Sequence, residues 1–423
     1  MDSHPDHLER LVHLVMKRAF SWPELGVQFI RKQLLELGVE LTESQMQRLR
    51  HELESESVGD VLLNLDERQE EQLRAAHDGS TSLEIDFAQL AGVLERPERL
   101  IEEAVRELVD TVSEHLVEAW KTEARELLEQ QREQRALFND SLRDAWGRPV
   151  QLLDILVSTT VDKAAAFNRE SQPRAVESED HVFDVLTSLH ARGCQVALEI
   201  LTLLENGLAD GAHARWRTLH ELAVVAMFIK ERGQRAAKRY LAHRGITAWY
   251  DAANYQEHCQ VLGYPPMDDE EFEDLASRRA ALLQSYGDEF DEWYGWAAHE
   301  IKKSGRVTFT DIERAVDLNH FRPFYRLANI NVHAGSGGAR FRLGLPEGGP
   351  NALLAGSSLY GLADPGQNTA ISLHQLTTAL LLVRPSLDNL VFLGAQSQLV
   401  DETCNAFVEV HRKLQRGPGQ RAE

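Results

Sequence analysis

Cysteine is scarce in this chain: 423 residues hold three, Cys194, Cys259 and Cys404, far apart and without a CxxC pair. That pattern excludes a zinc ribbon, offers no disulfide framework and fits a reducing cytoplasm. Each cysteine reads as a small buried hydrophobe rather than a nucleophile. Long apolar runs are missing as well, and none approaches the roughly 20 residues of a membrane span. The nearest, TTALLLVRPSLDNLVFLG, is interrupted by Arg384, Pro385 and Asp388. The opening MDSHPDHLERLVH is acidic and polar, unlike a signal peptide. Phosphate-cradling GxxxxGK and GxGxxG loops, a GxSxG nucleophile elbow and a useful helical zinc spacing are all lacking. No cofactor and no metal are therefore expected.

Acidic charge is what the chain has in plenty. The formal net charge is −22 and the apolar fraction 43 %, enough for a proper core. Such a balance argues against a general nucleic-acid or membrane coat. It is uneven, because residues 301–423 carry a balance of +3 and the first 300 a balance of −25. If nucleic acid binds, the last third repels it least.

Apolar periodicity is helical nearly throughout. Residues 1–115 read as a module of short helices joined by polar turns, with Thr42 and Gln45 forming a capping box and Asp78-Gly79-Ser80 a turn. Residues 116–149 continue a charged connecting helix on which Val105, Leu108, Val112, Leu116 and Trp120 recur at coiled-coil spacing. Its charges read as a solvated face, with dimer formation the sharper alternative. Residues 150–413 are expected to form a helical bundle, and 414–423 a disordered tail. Within the bundle, NRESQPRAVESED reads as a polar linker, and Asn206-Gly207 stops one long helix just before the next. Short strands on either side of Pro346-Glu347-Gly348-Gly349-Pro350 predict a small β-hairpin near 340–360. The predicted fold is mainly α, with that hairpin and a separable N-terminal helical region.

Two polar clusters interrupt apolar helices. The first is Arg215, Arg217, His220 and Glu221, at the mouth of a helix that continues as LAVVAMFI and is apolar all round, as in the middle of a bundle. Arg217 and Glu221 can simply pair at i, i+4. The second lies in FYRLANINVHAGSGG, where Arg326, Asn329 and His333 share a helical face before Gly335, Gly337 and Gly338. One reading is structural: a histidine near a helix C-terminus suits the dipole. The other is chemical. Arginine holds a phosphate or carboxylate, asparagine orients it, and an imidazole moves a proton near neutral pH. Trp293, Tyr294 and Trp296, with His299, could stack a base, though packing is the plainer role of such aromatics.

The stretches ARWRTLHELAVVAMFI, WAAHEIKKSGRVTFTDIERAV and FYRLANINVHAGSGG resemble a bacterial family catalogued as a domain of unknown function, number 5677. That family carries an arginine-rich helix with an acid, then Tyr-Arg and Val-His before small residues, and the resemblance spans roughly 150–400. It implies a helical fold and supports the choice of residues, but brings no activity. A looser resemblance is to helical ribonucleases of the HEPN type, common in bacterial antiphage systems, which carry Arg, four to six residues, then His. Six residues separate Arg326 from His333 and four separate Arg215 from His220. Many members place a polar residue directly after the Arg, where this chain has Leu327 and Trp216. The resemblance implies metal-independent RNA cleavage, in a site usually formed across a dimer.

Two functions stay open at this stage. One is a cytoplasmic ribonuclease of a stress or phage-defence system, with Arg326, Asn329 and His333 catalytic and Arg215, Arg217, His220 and Glu221 binding RNA. The other is a non-enzymatic scaffold whose acidic N-terminal helices bind a protein partner. A homodimer fits either.

Overall fold

The computed structural model describes residues 22–54, 63–76, 79, 97–333, 335, 336, 342–346 and 353–416. Among these the regular elements are all helical, and the chain divides into two compact units, Met1–Glu133 and Gln134–Glu423.

In the first unit, α1 (Trp22–Glu36), α2 (Glu43–Glu54) and α3 (Glu67–Ala76) enclose a small core of Val27, Ile30, Leu34, Val39, Leu41, Leu49 and Leu73. The capping box is present: Thr42 N–H donates to Gln45 Oε1 at 2.8 Å, and Gln45 N–H to Thr42 Oγ1 at 3.4 Å. Arg50 grips Glu24 through two hydrogen bonds of 2.7 and 3.0 Å. Buried Gln69 donates to the Glu40 carbonyl at 2.6 Å, so its amide is not left orphaned.

Helix α4 (Pro97–Glu177) runs without a break through the stretch expected to be a linker. Pro173 does not end it, because tertiary contacts hold the last turns: Phe167 packs on Phe183 with ring centroids 6.0 Å apart, Ala175 is buried, and Arg384 donates to the Ser171 carbonyl at 2.6 Å. The chain then turns at Asp180, which caps α5 (His181–Glu205) by accepting from Phe183 N–H.

The second unit is built on α5, α6 (Ala209–Arg232) and α12 (Ala363–Leu381), which pack on one another, with α13 (Leu387–Arg416) against α12. Between α5 and α6 the turn at Gly207 takes φ +68°, and a Cβ there would sit 2.7 Å from the Ser358 carbonyl, so glycine is required twice over. Around this core lie α7 (Gln234–His258), α8 (Asp269–Tyr286), the short α9 (Gly295–Ala298), α10 (Phe309–Ala315) and α11 (Arg322–Val332). Thr308 and Asp311 make the capping box of α10. As a helix apolar all round requires, α6 is central: Trp216, Leu219, Ala223, Val224, Phe228 and Ile229 are fully buried. The three thiols face inward: Cys194 and Cys259 are buried and Cys404 is half-buried. Burial pushes the Cys194 thiol up to about 12 and, with the Asp401 charge, that of Cys404 to about 11.

The predicted hairpin is not present: residues 342–346 and 353–362 contain no strand, and 347–352 lie outside the described residues. Backbone groups that would have paired across a hairpin are tied to the helices instead. Leu343 N–H donates to Asp210 at 3.0 Å, Ser358 N–H to the Gly207 carbonyl at 2.9 Å, and Trp146 Nε1–H to the Leu359 carbonyl at 2.9 Å. Helix α13 continues to Arg416, and 417–423 of the expected tail lie outside the described residues. The same holds for Gly337 and Gly338 and for most of the segment expected to follow Gly79.

Candidate functional site

Three helices meet at the polar end of α6. Its 3.6-residue repeat points His220 inward, while Arg217 and Glu221 lie toward α11. The α10 capping box starts that short helix where it buries Glu313 completely. Pro323 in the first turn of α11 suits its missing N–H, and Tyr325 and Ala328 are the residues that helix buries.

His220 and Glu313 are both fully buried, with Nε2 3.0 Å from Oε1. The other ring nitrogen, Nδ1, has no hydrogen-bond partner among the described residues. Arg322 brings Nη1 to 2.7 Å from Glu313 Oε2, at an angle that makes it a charge contact rather than an aligned hydrogen bond. This His–Glu–Arg chain, fully buried at His220 and Glu313 and partly exposed at Arg322, joins α6, α10 and α11. Its role is to fix them, since no substrate reaches a carboxylate without exposed surface.

A second chain lies nearer solvent. Tyr325 donates its hydroxyl to Glu221 Oε1 at 2.5 Å, and Arg217 donates to the same oxygen at 3.0 Å. The Arg217 and Arg322 guanidiniums lie 5.1 and 5.0 Å from the Tyr325 ring centroid. Burial, reinforced by the Glu221 carboxylate, holds the Tyr325 hydroxyl far above its ordinary value, so it remains a donor. Burial acts to lower the Arg217 value, yet Tyr325 and Glu221 outweigh it and raise it. On the outer side, Arg215 donates to Glu199 and, at 3.2 Å, to Thr218.

Two clefts open beside these residues and share Thr218 and Glu221. One, of about 480 Å³, is lined by Arg215 and Arg217 on α6 and by Val332 at the end of α11. The other, of about 450 Å³, is largely aromatic, with Tyr240, Trp293, Tyr294, Trp296 and Phe309 in its walls. Burial pushes the Tyr294 hydroxyl up to about 12. Trp296 is packed edge-on against Phe228 and Tyr240, whereas Trp293 is 66 % exposed. His299 is exposed, beside Glu300 at 3.6 Å.

The structure thus brings Arg217, His220 and Glu221 together, and sets Arg215 on the rim. Arg326 and His333 are exposed; Asn329 is half-buried, with an Oδ1 that has no hydrogen-bond partner among the described residues. His333 caps α11, its N–H bonded to the Asn329 carbonyl at 3.0 Å before the chain turns extended. The arginine that reaches the core is Arg322, one turn before Arg326. Glu313, Arg322 and Tyr325 are the site residues that spacing misses; only the Phe-Tyr-Arg run hinted at Tyr325. Among the described residues no group of three or more His, Cys, Asp and Glu is placed to hold a metal ion. Nor is any of their helices long and apolar enough to cross a membrane.

Residues 183–350 match the model of a family described as a family of unknown function, DUF5677. The matched stretch runs from the start of α5 past α11, so it contains every residue of both chains of contacts. It bears out the resemblance carried by the arginine-rich and Val-His stretches, over a narrower span than 150–400. No curated protein and no solved structure matches the chain.

Proposed function

We propose that the cleft between α6 and the end of α11 is a metal-independent ribonuclease site, of the kind HEPN-type helical ribonucleases use, in a cytoplasmic stress or phage-defence protein. One observation carries this reading: Val332, the residue before His333, lines the same cleft as Arg215, Arg217 and Glu221. His333 follows that residue in the chain and is exposed, and the pocket already holds guanidiniums. Arg326, exposed on α11 and without an acidic partner among the described residues, would add a cation.

The step needs no outside reactant. An RNA 2′-hydroxyl loses its proton to the His333 imidazole, and its oxygen bonds to the adjacent phosphorus. The bond from phosphorus to the 5′-oxygen breaks, and that oxygen takes the proton back from the imidazolium. Guanidiniums offset the charge that builds on the phosphoryl oxygens, and the Asn329 amide orients the group.

The test is single-stranded RNA incubated with the full chain in excess chelator. His333→Ala and Arg326→Ala should each lower cleavage by roughly 100-fold or more while the melting temperature stays put. Intact RNA after incubation with the unmodified chain overturns the reading.

A second reading, dimer formation through α4, has its own observation. On α4 the side chains of Val109, Val117, Trp120, Leu127 and Leu128 are 54, 40, 60, 50 and 48 % exposed. Val109, Trp120 and Leu127 fall on one stripe of that helix, which suits a second copy of this chain. Sedimentation of the unmodified chain as a dimer and of Trp120→Glu as a monomer supports it; a monomer in both cases overturns it.

A further inference from the structure

We infer that the aromatic cleft is a nucleobase subsite that favours bases carrying an amino group. The inference rests on reading the neighbouring cleft as the place where an RNA phosphate sits.

The two clefts share Thr218 and Glu221 in their walls, so they lie side by side. A nucleotide has the same division: a charged phosphate beside a flat, largely apolar ring. The guanidiniums of Arg215 and Arg217 belong to the first cleft and the aromatic walls to the second. Its volume of about 450 Å³ is ample for one base and its sugar. Exposed Trp293 gives the stacking face that every base can use. Tyr294 and Phe309, with ring centroids 6.2 Å apart, line the same cleft.

Two charged groups then select the ligand. Arg244 is exposed at the cleft and has no acidic partner among the described residues. It suits an anionic backbone leaving the pocket. Glu221 uses Oε1 for both Tyr325 and Arg217, and its Oε2 has no hydrogen-bond partner among the described residues. A carboxylate oxygen that is unengaged among the described residues can accept from an exocyclic amino group, which guanine, adenine and cytosine have and uracil lacks.

Calorimetric titration of the full chain with nucleoside 5′-monophosphates is the experiment. GMP, AMP or CMP should bind more tightly than UMP, and Trp293→Ala should weaken binding roughly fivefold or more. Arg244→Ala should weaken the monophosphates more than the corresponding nucleosides. If the nucleotides bind as described but RNA stays intact, the nuclease reading fails and the subsite stands. Absence of binding, an unaltered affinity in Trp293→Ala at a retained melting temperature, or equal affinity for simple aromatic acids overturns the subsite, whatever RNA cleavage does.

Discussion

Tyr325 and Glu221, 104 positions apart in the chain, share a hydrogen bond of 2.5 Å. Through it α11 is fastened to α6 at the point where both clefts begin. The tyrosine is 6 % exposed and has two guanidiniums near its ring, so its ring and its hydroxyl act together. Tyr325→Phe keeps the ring and removes the hydroxyl from a carboxylate that retains Arg217. The expected loss is about 1–2 kcal/mol, read by urea denaturation. Tyr325→Leu also forfeits both cation–π contacts and should lose measurably more.

Arg322 and Arg326 are one helical turn apart on α11 and should behave oppositely. Arg322→Met strands the fully buried Glu313 with only His220, and breaking such a pair costs about 3–5 kcal/mol. Arg326→Met removes an exposed charge and should stay within about 0.5 kcal/mol of the parent. Adding Glu313→Gln to Arg322→Met should restore part of the loss, because the carboxylate that lacked its cation is gone. Thermal or chemical denaturation of the four proteins gives the comparison.

Stability should fall with acid well before the carboxylates titrate. Burial lowers His190 and His213 to about 4, against 6.5 for an open imidazole. The unfolded chain therefore takes up these protons first. The stabilisation is complete above pH 6.5 and is lost as pH falls from there toward 4. His190 bonds to Thr377 Oγ1 at 3.1 Å, but His213 has neither ring nitrogen paired among the described residues and stacks on Trp216 at 5.3 Å. His213→Phe should preserve the stacking, drop the orphaned nitrogens, and flatten the stability profile between pH 6.5 and 4.

Gly295 admits no side chain. A Cβ there would overlap the Glu289 carbonyl and stand 2.7 Å from Phe290 Cα, both backbone atoms. Its own carbonyl accepts from buried Arg239 at 3.2 Å. Gly295→Ala should cost about 1–3 kcal/mol by overpacking. Because α9 carries Trp296 and follows Trp293 and Tyr294, the same variant should weaken nucleotide binding beyond what lost stability explains. Calorimetry well below its melting temperature separates the two effects.

Much of the helical framework was legible because it is written locally. Asn206-Gly207 marks the α5–α6 turn, Thr42 and Gln45 mark a helix start, and the unbroken apolar run after Glu221 marks the bundle's centre. Arg217 and Glu221 were readable as a pair for the same reason. Glu313 was not, since nothing in TFTDIERA distinguishes a fully buried acid from a surface one; its environment is supplied by α6 and α11 from outside. The β-hairpin failed similarly. Its Gly-Pro turn residues were real signals, but Asp210 and the Gly207 carbonyl claim the backbone partners. Pro173 misled because a helix held by Phe183 and Arg384 tolerates a proline that isolated sequence treats as a stop.

The inward-facing thiols turn the chain into its own stopwatch. A reagent that attacks only thiolates meets Cys194 in a setting that keeps the proton on sulfur near neutral pH. Labelling must wait until α5 lifts away from the helices around it. The rate at which Cys194 is modified, followed without denaturant, then counts the openings of the bundle itself, and each variant described above can be ranked by how often it lets the reagent in.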